Sequence, residues 1–167
     1  MTTTADLLTD AFERIRDGVH TVVADLAPEQ LGTRLAPSAN SISWLVWHLA
    51  RVQDSQGSDV ASTEQVWTTD GWHERFGLPF KPKDTGFKHT PDDVAAVSGL
   101  TAEQLTGYID AVAEHTTQFV STLSDDDLSR VVDTRWDPPV TLGVRLMSII
   151  GDDLQHLGQA KFVRGLL

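Results

Sequence analysis

The chain has 167 residues, of which 40% are hydrophobic. That is enough for one domain with a full core and too short for two. The formal net charge of −11 argues against binding to nucleic acid or to an anionic membrane surface, because both are negatively charged and bind lysine and arginine. We therefore expect a single domain over residues 1–167 that acts on a small-molecule substrate.

The sequence contains no cysteine, which excludes a cysteine nucleophile and leaves only histidine, aspartate and glutamate to hold a metal. The N-terminus lacks the basic and apolar regions of a signal peptide. No apolar run approaches the ~20 residues of a membrane span. These features predict a cytoplasmic protein.

Two helices are predicted in the first third of the chain. The first covers residues 5–26 and places at helical spacing the apolar residues Leu8, Phe12, Ile15, Val19, Val22 and Leu26. A connection with two prolines and a glycine follows at residues 27–40. Asn40 and Ser41 are good caps for the second helix. Its predicted core stripe is Ile42, Leu45, Leu49 and Val52.

His48 lies one position to the side of that stripe, beside Trp44 and Trp47. Two neighbouring tryptophans partly desolvate the imidazole and favour its neutral form, which is the form that metals bind. The alternative is a buried histidine bonded to a backbone carbonyl. The second helix by itself favours that alternative.

Residues 55–99 lose the helical pattern and are rich in glycine and proline, with room only for short turns such as residues 91–97. An irregular connection of this length more often has a function than serves only to link two helices. It concentrates aromatic residues and two histidines, His73 and His89. Two interpretations stay open: a lid or specificity wall over a pocket, or a long crossover that packs its aromatics onto the rest of the protein.

A third helix is predicted from the capping box at Thr101 and Gln104 to about Leu123. His115 lies beside its apolar stripe and is either a further ligand, a group behind the ligands, or a histidine at the edge of the core. Residues 131–139 are predicted to be extended, because a residue before proline avoids the helical conformation.

The last helix is predicted over residues 141–167. Its apolar face is Leu142, Leu146, Ile149, Ile150, Leu154 and Leu157. Asp152 and His156 are four residues apart and so point to nearly the same side. Arg145, Ser148 and Gln159 fall on that side too, which places a polar strip along a face that otherwise requires a dry core.

Three interpretations of this strip compete. Asp152 can form an ion pair with Arg145 while His156 is a hydrogen-bonded core histidine. The carboxylate and the imidazole can bind a partner protein. They can also be two ligands of a divalent metal, which requires a third ligand from another helix, and His48 is the candidate.

Four amphipathic helices and almost no strand signals predict the all-α class. We expect an up-down-down-up type of four-helix bundle with a long crossover between the second and third long helices. In such bundles, ligand sites are built from inward side chains on facing helices.

The segment N-S-I-S-W-L-V-W-H-L-A-R-V-Q-D, followed by D-D-L-Q-H-L-G-Q-A, resembles the DinB/YfiT-like superfamily of metalloenzymes. The resemblance covers essentially the whole chain. It is closest to an actinobacterial branch similar to the N-terminal domain of mycothiol-dependent maleylpyruvate isomerase. By position it implies His48, Asp152 and His156 as metal ligands. Asp152 is a departure, since many members have histidine there and the isomerase branch has the longer glutamate.

The resemblance implies a divalent metal, with zinc foremost and nickel, iron or manganese also compatible. It implies a transferase or isomerase that uses a low-molecular-weight thiol such as mycothiol as a metal-bound thiolate. In that hypothesis Arg145 and Gln159 orient substrate or support the ligands, and Trp44 and Trp47 form the pocket wall.

Two other functions stay open: a hydrolase with a metal-activated water, and a non-catalytic metal-binding stress protein. Family precedent makes a homodimer plausible, although no exposed heptad seam in the sequence points to one.

Overall fold

Four long helices dominate the computed structural model, which describes residues 2–167. The elements in chain order are α1 (Thr4–Val23), α2 (Pro28–Leu31), α3 (Ile42–Ala61), α4 (Val66–Thr69), α5 (Trp72–Phe76), α6 (Pro91–Ala96), α7 (Ala102–Val120), β1 (Val131–Asp133), β2 (Val140–Thr141) and α8 (Leu142–Arg164). A 3₁₀ turn at Asp126–Ser129 precedes the two strands, which pair antiparallel. The predicted all-α class is confirmed.

Each long helix begins at a hydroxyl side chain that caps it. The caps are Thr3, Ser41, Thr101 and Thr141, and each accepts a hydrogen bond from the backbone N–H three residues further on. Such a bond satisfies one of the free N–H groups that every helix start leaves. Local sequence therefore sets where the four helices begin.

The core lies between these four helices, with α1 and α3 each packed against both α7 and α8. The predicted apolar stripes of the first three long helices are buried or partly buried. Their burial is the main stabilising contribution to the bundle.

On α8 one predicted core residue is wrong. Leu154 is 50% exposed, whereas its neighbour Asp153 is fully buried. The other predicted core residues of α8, among them Leu146, Ile150 and Leu157, are buried. Leu154 lies roughly 100° around the helix from Asp153 and so points away from the other helices.

The irregular crossover begins later than the predicted residue 55, because α3 continues to Ala61. Gly57 and Ser58 are weak helix formers, but both are buried. The Gly57 backbone faces the Thr116 hydroxyl of α7, and the Ser58 hydroxyl donates to Asp54. Packing against α7 therefore overrides the low intrinsic helix propensity of this segment.

The first half of the crossover packs its aromatic residues onto the bundle, as one of the two interpretations predicted. Trp67, Trp72 and Phe76 surround Tyr108 of α7, with ring centroids 5.0 to 5.8 Å from the Tyr108 ring. The second half passes over α3 at His48. Within residues 2–167, no helix combines the length and apolar character that a bilayer span requires.

Candidate metal site

Helices α3 and α8 run antiparallel and bring His48 against Asp152 and His156. Further along α3, Gln56 accepts a hydrogen bond from Arg145 near the start of α8. Toward the start of α3, Leu45 shares a groove with Val163 near the end of α8. The two predicted halves of the site therefore meet in space.

One ligand atom from each of His48, Asp152 and His156 lies within 4.8 Å of the other two. His156 Nε2 is 3.6 Å from Asp152 Oδ1, and the His48 and His156 ring centroids are 4.7 Å apart. Ligand atoms around a tetrahedral zinc are about 3.4 Å apart, given bonds of about 2.1 Å. The observed separations exceed this spacing by at most about 1.4 Å, so the three ligand atoms lie close enough together to face one cation.

Two atoms of the cluster are buried without a hydrogen bond. Asp152 Oδ2 and His156 Nδ1 have no bonding partner among the residues described. Buried polar atoms almost always have a partner, so each exception needs an explanation. A cation bound between the three side chains would be held by the Asp152 carboxylate and by one nitrogen of each histidine, and this donor set fits a divalent metal.

The site is also open to solvent on one side. The Asp152 side chain is 37% exposed and the His156 side chain 18%, whereas His48 is buried. An external molecule can therefore reach the cluster from the α8 side. A site with three protein ligands and an open side is the pattern of catalytic rather than structural zinc.

His48 is held on its far side by the crossover. Its Nδ1 bonds directly to the Thr85 carbonyl oxygen, and its ring stacks on Trp44 at 4.6 Å between centroids. Burial, opposed in part by the bond to Thr85, lowers the pKa of His48. The neutral imidazole required of a metal ligand is therefore favoured.

Gly86 makes this close approach possible. Its φ is +90°, and a Cβ built on it would lie 2.8 Å from His48 Nδ1 and 3.2 Å from a Trp44 ring carbon. Residues with a side chain rarely adopt such a φ. Glycine is needed here both for the backbone conformation and for the space.

The two tryptophans differ in position. Trp44 contacts both His48 and His156 and donates from Nε1 to His89 Nδ1. Trp47 is 1% exposed and stacks on His89. Trp44 thus borders the ligand cluster, while Trp47 packs the crossover onto α3.

Arg145 does not pair with Asp152, so that version of the ion-pair interpretation is wrong. Its guanidinium donates to Asp133 at 2.9 Å and to Gln56 at 3.1 Å. Hydrogen bonds from Arg135, together with the charge of Arg145, hold the pKa of Asp133 well below its usual range. Arg145 is fully engaged in tying β1 to α3 and α8.

The other polar residues of the α8 strip, Ser148 and Gln159, form no hydrogen bond with the three ligand candidates within residues 2–167. Ser148 bonds back to the Val144 carbonyl of its own helix. Gln159 is exposed and lines a groove of about 500 Å³ beyond His156. The remaining walls of this groove are mainly apolar: Leu35, Ala39, Leu45, Phe162 and Val163.

The remaining histidines have other partners. His20 bonds to Asp110, His115 to the Thr63 hydroxyl, and His73 to the Phe80 carbonyl. His89 receives the Trp44 bond and pairs with Asp84 at 3.2 Å. Of the four, His89 alone touches the surroundings of the site.

Two features of this region had no clear signal in the sequence. A backbone carbonyl such as that of Thr85 carries no side-chain signature. The carboxylate of Asp153 is fully buried beside Asp152 and has no hydrogen-bond partner within residues 2–167. Burial, together with the charge of Asp152, raises the pKa of Asp153 well above its usual value. The sequence shows two adjacent aspartates, but it does not indicate that Asp153 is the one that faces the core.

Comparison with known proteins gives a family match and similar solved structures. The model of the mycothiol-S-transferase family matches residues 7–167. A solved structure described as the conserved protein of locus from Enterococcus faecalis is similar in fold, with a TM-score of 0.92 and 31% identity over 99% of this chain and 98% of that one. A search of curated proteins finds no match.

Proposed function

Because the chain belongs to the mycothiol-S-transferase family, of the DinB/YfiT-like type, we propose that it joins a low-molecular-weight thiol, mycothiol, to a small electrophile. The proposal includes a divalent metal, zinc, held by His48, Asp152 and His156. The observation that carries it is the meeting of these three side chains, two of them with buried unbonded atoms, at a place that solvent reaches.

The donor set supports zinc. Two imidazoles and one carboxylate are typical of catalytic zinc with one position left open. When bound there, the metal would supply a positive charge that lowers the pKa of an arriving thiol and favours the reactive thiolate. The chain has no cysteine, so that thiol must come from a separate molecule.

The protein's own residues prepare the site in distinct ways. The Thr85 carbonyl fixes the His48 ring, and burial keeps that ring neutral. The Asp152 carboxylate supplies the one negative charge among the three ligands. Trp44 covers His48 and meets the edge of His156, which keeps water from that side of both rings.

We assign the electrophile to the groove beyond His156. It has a volume of about 500 Å³, and apolar side chains of Leu35, Leu45 and Phe162 supply much of its wall. Pockets of this size and character are typical small-molecule sites. In this proposal Gln159, which lines the groove, orients the electrophile by hydrogen bonding.

The function is tested by following conjugation of chlorodinitrobenzene by the zinc-loaded protein. In the reaction a carbon–sulfur bond forms and a carbon–chlorine bond breaks, so chloride leaves with the bonding pair and the thiol proton goes to solvent. We expect turnover with added mycothiol and none without a thiol.

Two variants sharpen this test. His48→Ala should abolish the turnover, and His20→Ala, which changes a histidine that pairs with Asp110 elsewhere, should not. Absence of mycothiol-dependent turnover with a range of electrophiles, or thiol-independent ester cleavage lost in His48→Ala, would contradict the proposal. The second result would favour a hydrolase.

A further inference from the structure

Arg51 is a fully buried cation that the proposed chemistry does not use. It lies on α3 with no exposed surface. Its Nε donates to the Asp84 carbonyl at 3.2 Å, and its Nη2 donates to the Pro82 carbonyl at 3.1 Å. A buried charge is costly unless hydrogen bonds satisfy it. Here two backbone carbonyls of the crossover provide part of that satisfaction.

The other side of the guanidinium is fixed by the bundle. Nη1 donates to the Tyr108 hydroxyl of α7 at 3.0 Å and to the Asp54 carboxylate at 3.3 Å. The Tyr108 hydroxyl also donates to Asp54, at 2.8 Å. The guanidinium lies over the Trp67 ring, 4.8 Å from its centroid. Arg51 therefore has little freedom, and the crossover carbonyls that it holds share that restriction.

One of the two held carbonyls, that of Asp84, directly precedes the carbonyl that contacts His48. Arg51 binds the oxygen of Asp84, and the following carbonyl, that of Thr85, bonds to His48 Nδ1. Arg51 and His48 are three residues apart on α3 and so lie on one face, a turn from each other. One face of α3 thus docks onto two consecutive carbonyls of the crossover.

This docking determines which nitrogen of His48 carries the proton. A carbonyl oxygen only accepts hydrogen bonds, so Nδ1 must be the protonated nitrogen of the neutral ring. Nε2 then carries the lone pair that a metal binds. Bonds of this kind commonly fix the tautomer and orientation of ligating histidines.

We propose that Arg51 is a positioning residue for the metal site, which acts by clamping residues 82–85 so that the Thr85 carbonyl holds His48 with its Nε2 free for the metal. This inference rests on the proposed function in one respect, which is that His48 is a ligand of the metal. The contacts that form the clamp lie entirely within the chain.

The test compares Arg51→Met with Tyr108→Phe. Arg51→Met keeps an apolar chain of similar length but releases both crossover carbonyls. Tyr108→Phe removes bonds behind the guanidinium and leaves those two carbonyls held. Both variants should lose stability, so stability alone does not distinguish the clamp from a purely structural role.

Two measurements distinguish a clamp from a purely structural role of Arg51. In the metal-free protein, nitrogen NMR of the imidazole rings should give the Nδ1–H tautomer for His48 in the wild type and in Tyr108→Phe, but a mixture in Arg51→Met. Zinc affinity, from competition with a chelator, should fall roughly 10- to 100-fold in Arg51→Met alone. If Arg51→Met does not fold, Arg51→Lys serves, since a single ammonium cannot reproduce the guanidinium fork.

A folded Arg51 variant with the wild-type His48 tautomer and wild-type zinc affinity would overturn the inference. Equal loss of affinity in Tyr108→Phe and Arg51→Met would overturn it as well, because it would indicate a general structural effect. The proposed function fails separately: a wild-type protein without thiol transfer contradicts that function, even if the His48 tautomer shifts in Arg51→Met as expected.

Discussion

His48 of α3 and His156 of α8 lie edge to face, with ring centroids 4.7 Å apart and ring planes at 81°. Two imidazolium ions at this distance would repel each other. Burial of His48, together with the nearby His156, favours the neutral form of His48, consistent with the direction of its pKa. The pair is therefore suited to share a cation supplied from outside the chain, with Asp152 as the third ligand.

Gly86→Ala should weaken both the fold and zinc binding. The substitution places a methyl group 2.8 Å from His48 Nδ1 at a φ of +90°. Backbone strain of this kind costs on the order of 1–3 kcal/mol. The clash should also separate the Thr85 carbonyl from His48. Urea unfolding and a zinc competition titration measure the two effects.

Gly99→Ala is the matched control for Gly86→Ala. Gly99 has a φ of +72°, and an added Cβ would meet no heavy atom of residues 2–167 within 4 Å. It therefore shares the backbone strain without the clash at His48. We expect Gly99→Ala to lose stability but keep wild-type zinc affinity. If both variants keep that affinity, the contact of the crossover with His48 does not support the site.

Asp153→Ala should stabilise the protein at neutral pH. The carboxylate is fully buried and finds no hydrogen-bond partner in the described part of the chain. An unsatisfied buried polar group costs roughly 1–3 kcal/mol, and the variant should recover much of this. The measurement is the free energy of unfolding in urea. Destabilisation would contradict the expectation that the buried, unpartnered carboxyl group is a net cost to the fold.

Helix positions and most core residues were predictable because they depend on local patterns. The capping box of Thr101 and Gln104 predicts a helix start, because these side chains bond to the free backbone N–H groups there. The apolar stripe from Leu8 to Val22 predicts one buried helix face. The choice between Leu154 and Asp153 for the core was not predictable in this way. Hydrophobicity favours Leu154, but the neighbours of α8 cover the side that carries Asp153.

The candidate site was predictable only in part. The spacing of Asp152 and His156 indicated a polar strip, His48 was the candidate for a third ligand from another helix, and the family resemblance implied all three residues. The Thr85 carbonyl, the Arg51 clamp and the engagement of Arg145 with Asp133 depend on long-range contacts. Such contacts depend on how the crossover packs against α3 and how β1 packs against α8. The periodicity of a single sequence does not predict them.

Asp133→Asn should destabilise the protein near neutral pH, by an amount that depends on pH. Hydrogen bonds from Arg135 and the charge of Arg145 lower the pKa of Asp133 in the folded state below its ordinary value of 3.8. Its stabilising contribution is therefore complete above the ordinary value and is lost as the pH falls through the folded-state pKa. The gap between wild type and variant should shrink in acid.

Urea unfolding at a series of pH values measures that gap. Asp92→Asn, which removes one charge from an exposed position, is the control for the general effect of net charge. We expect its difference from wild type to be small across the series. A gap for Asp133→Asn that stays constant into acid would mean that ionisation of Asp133 contributes nothing to β1 packing.

The most direct test of the central claim is anomalous scattering from crystals grown with zinc, recorded on both sides of the zinc absorption edge. We predict one strong peak between α3 and α8, within about 2.0–2.2 Å of a nitrogen of His48, a nitrogen of His156 and an oxygen of Asp152. A zinc-bearing crystal with no peak at these three side chains, or with the His48 ring turned away from Asp152 and His156, would contradict the account.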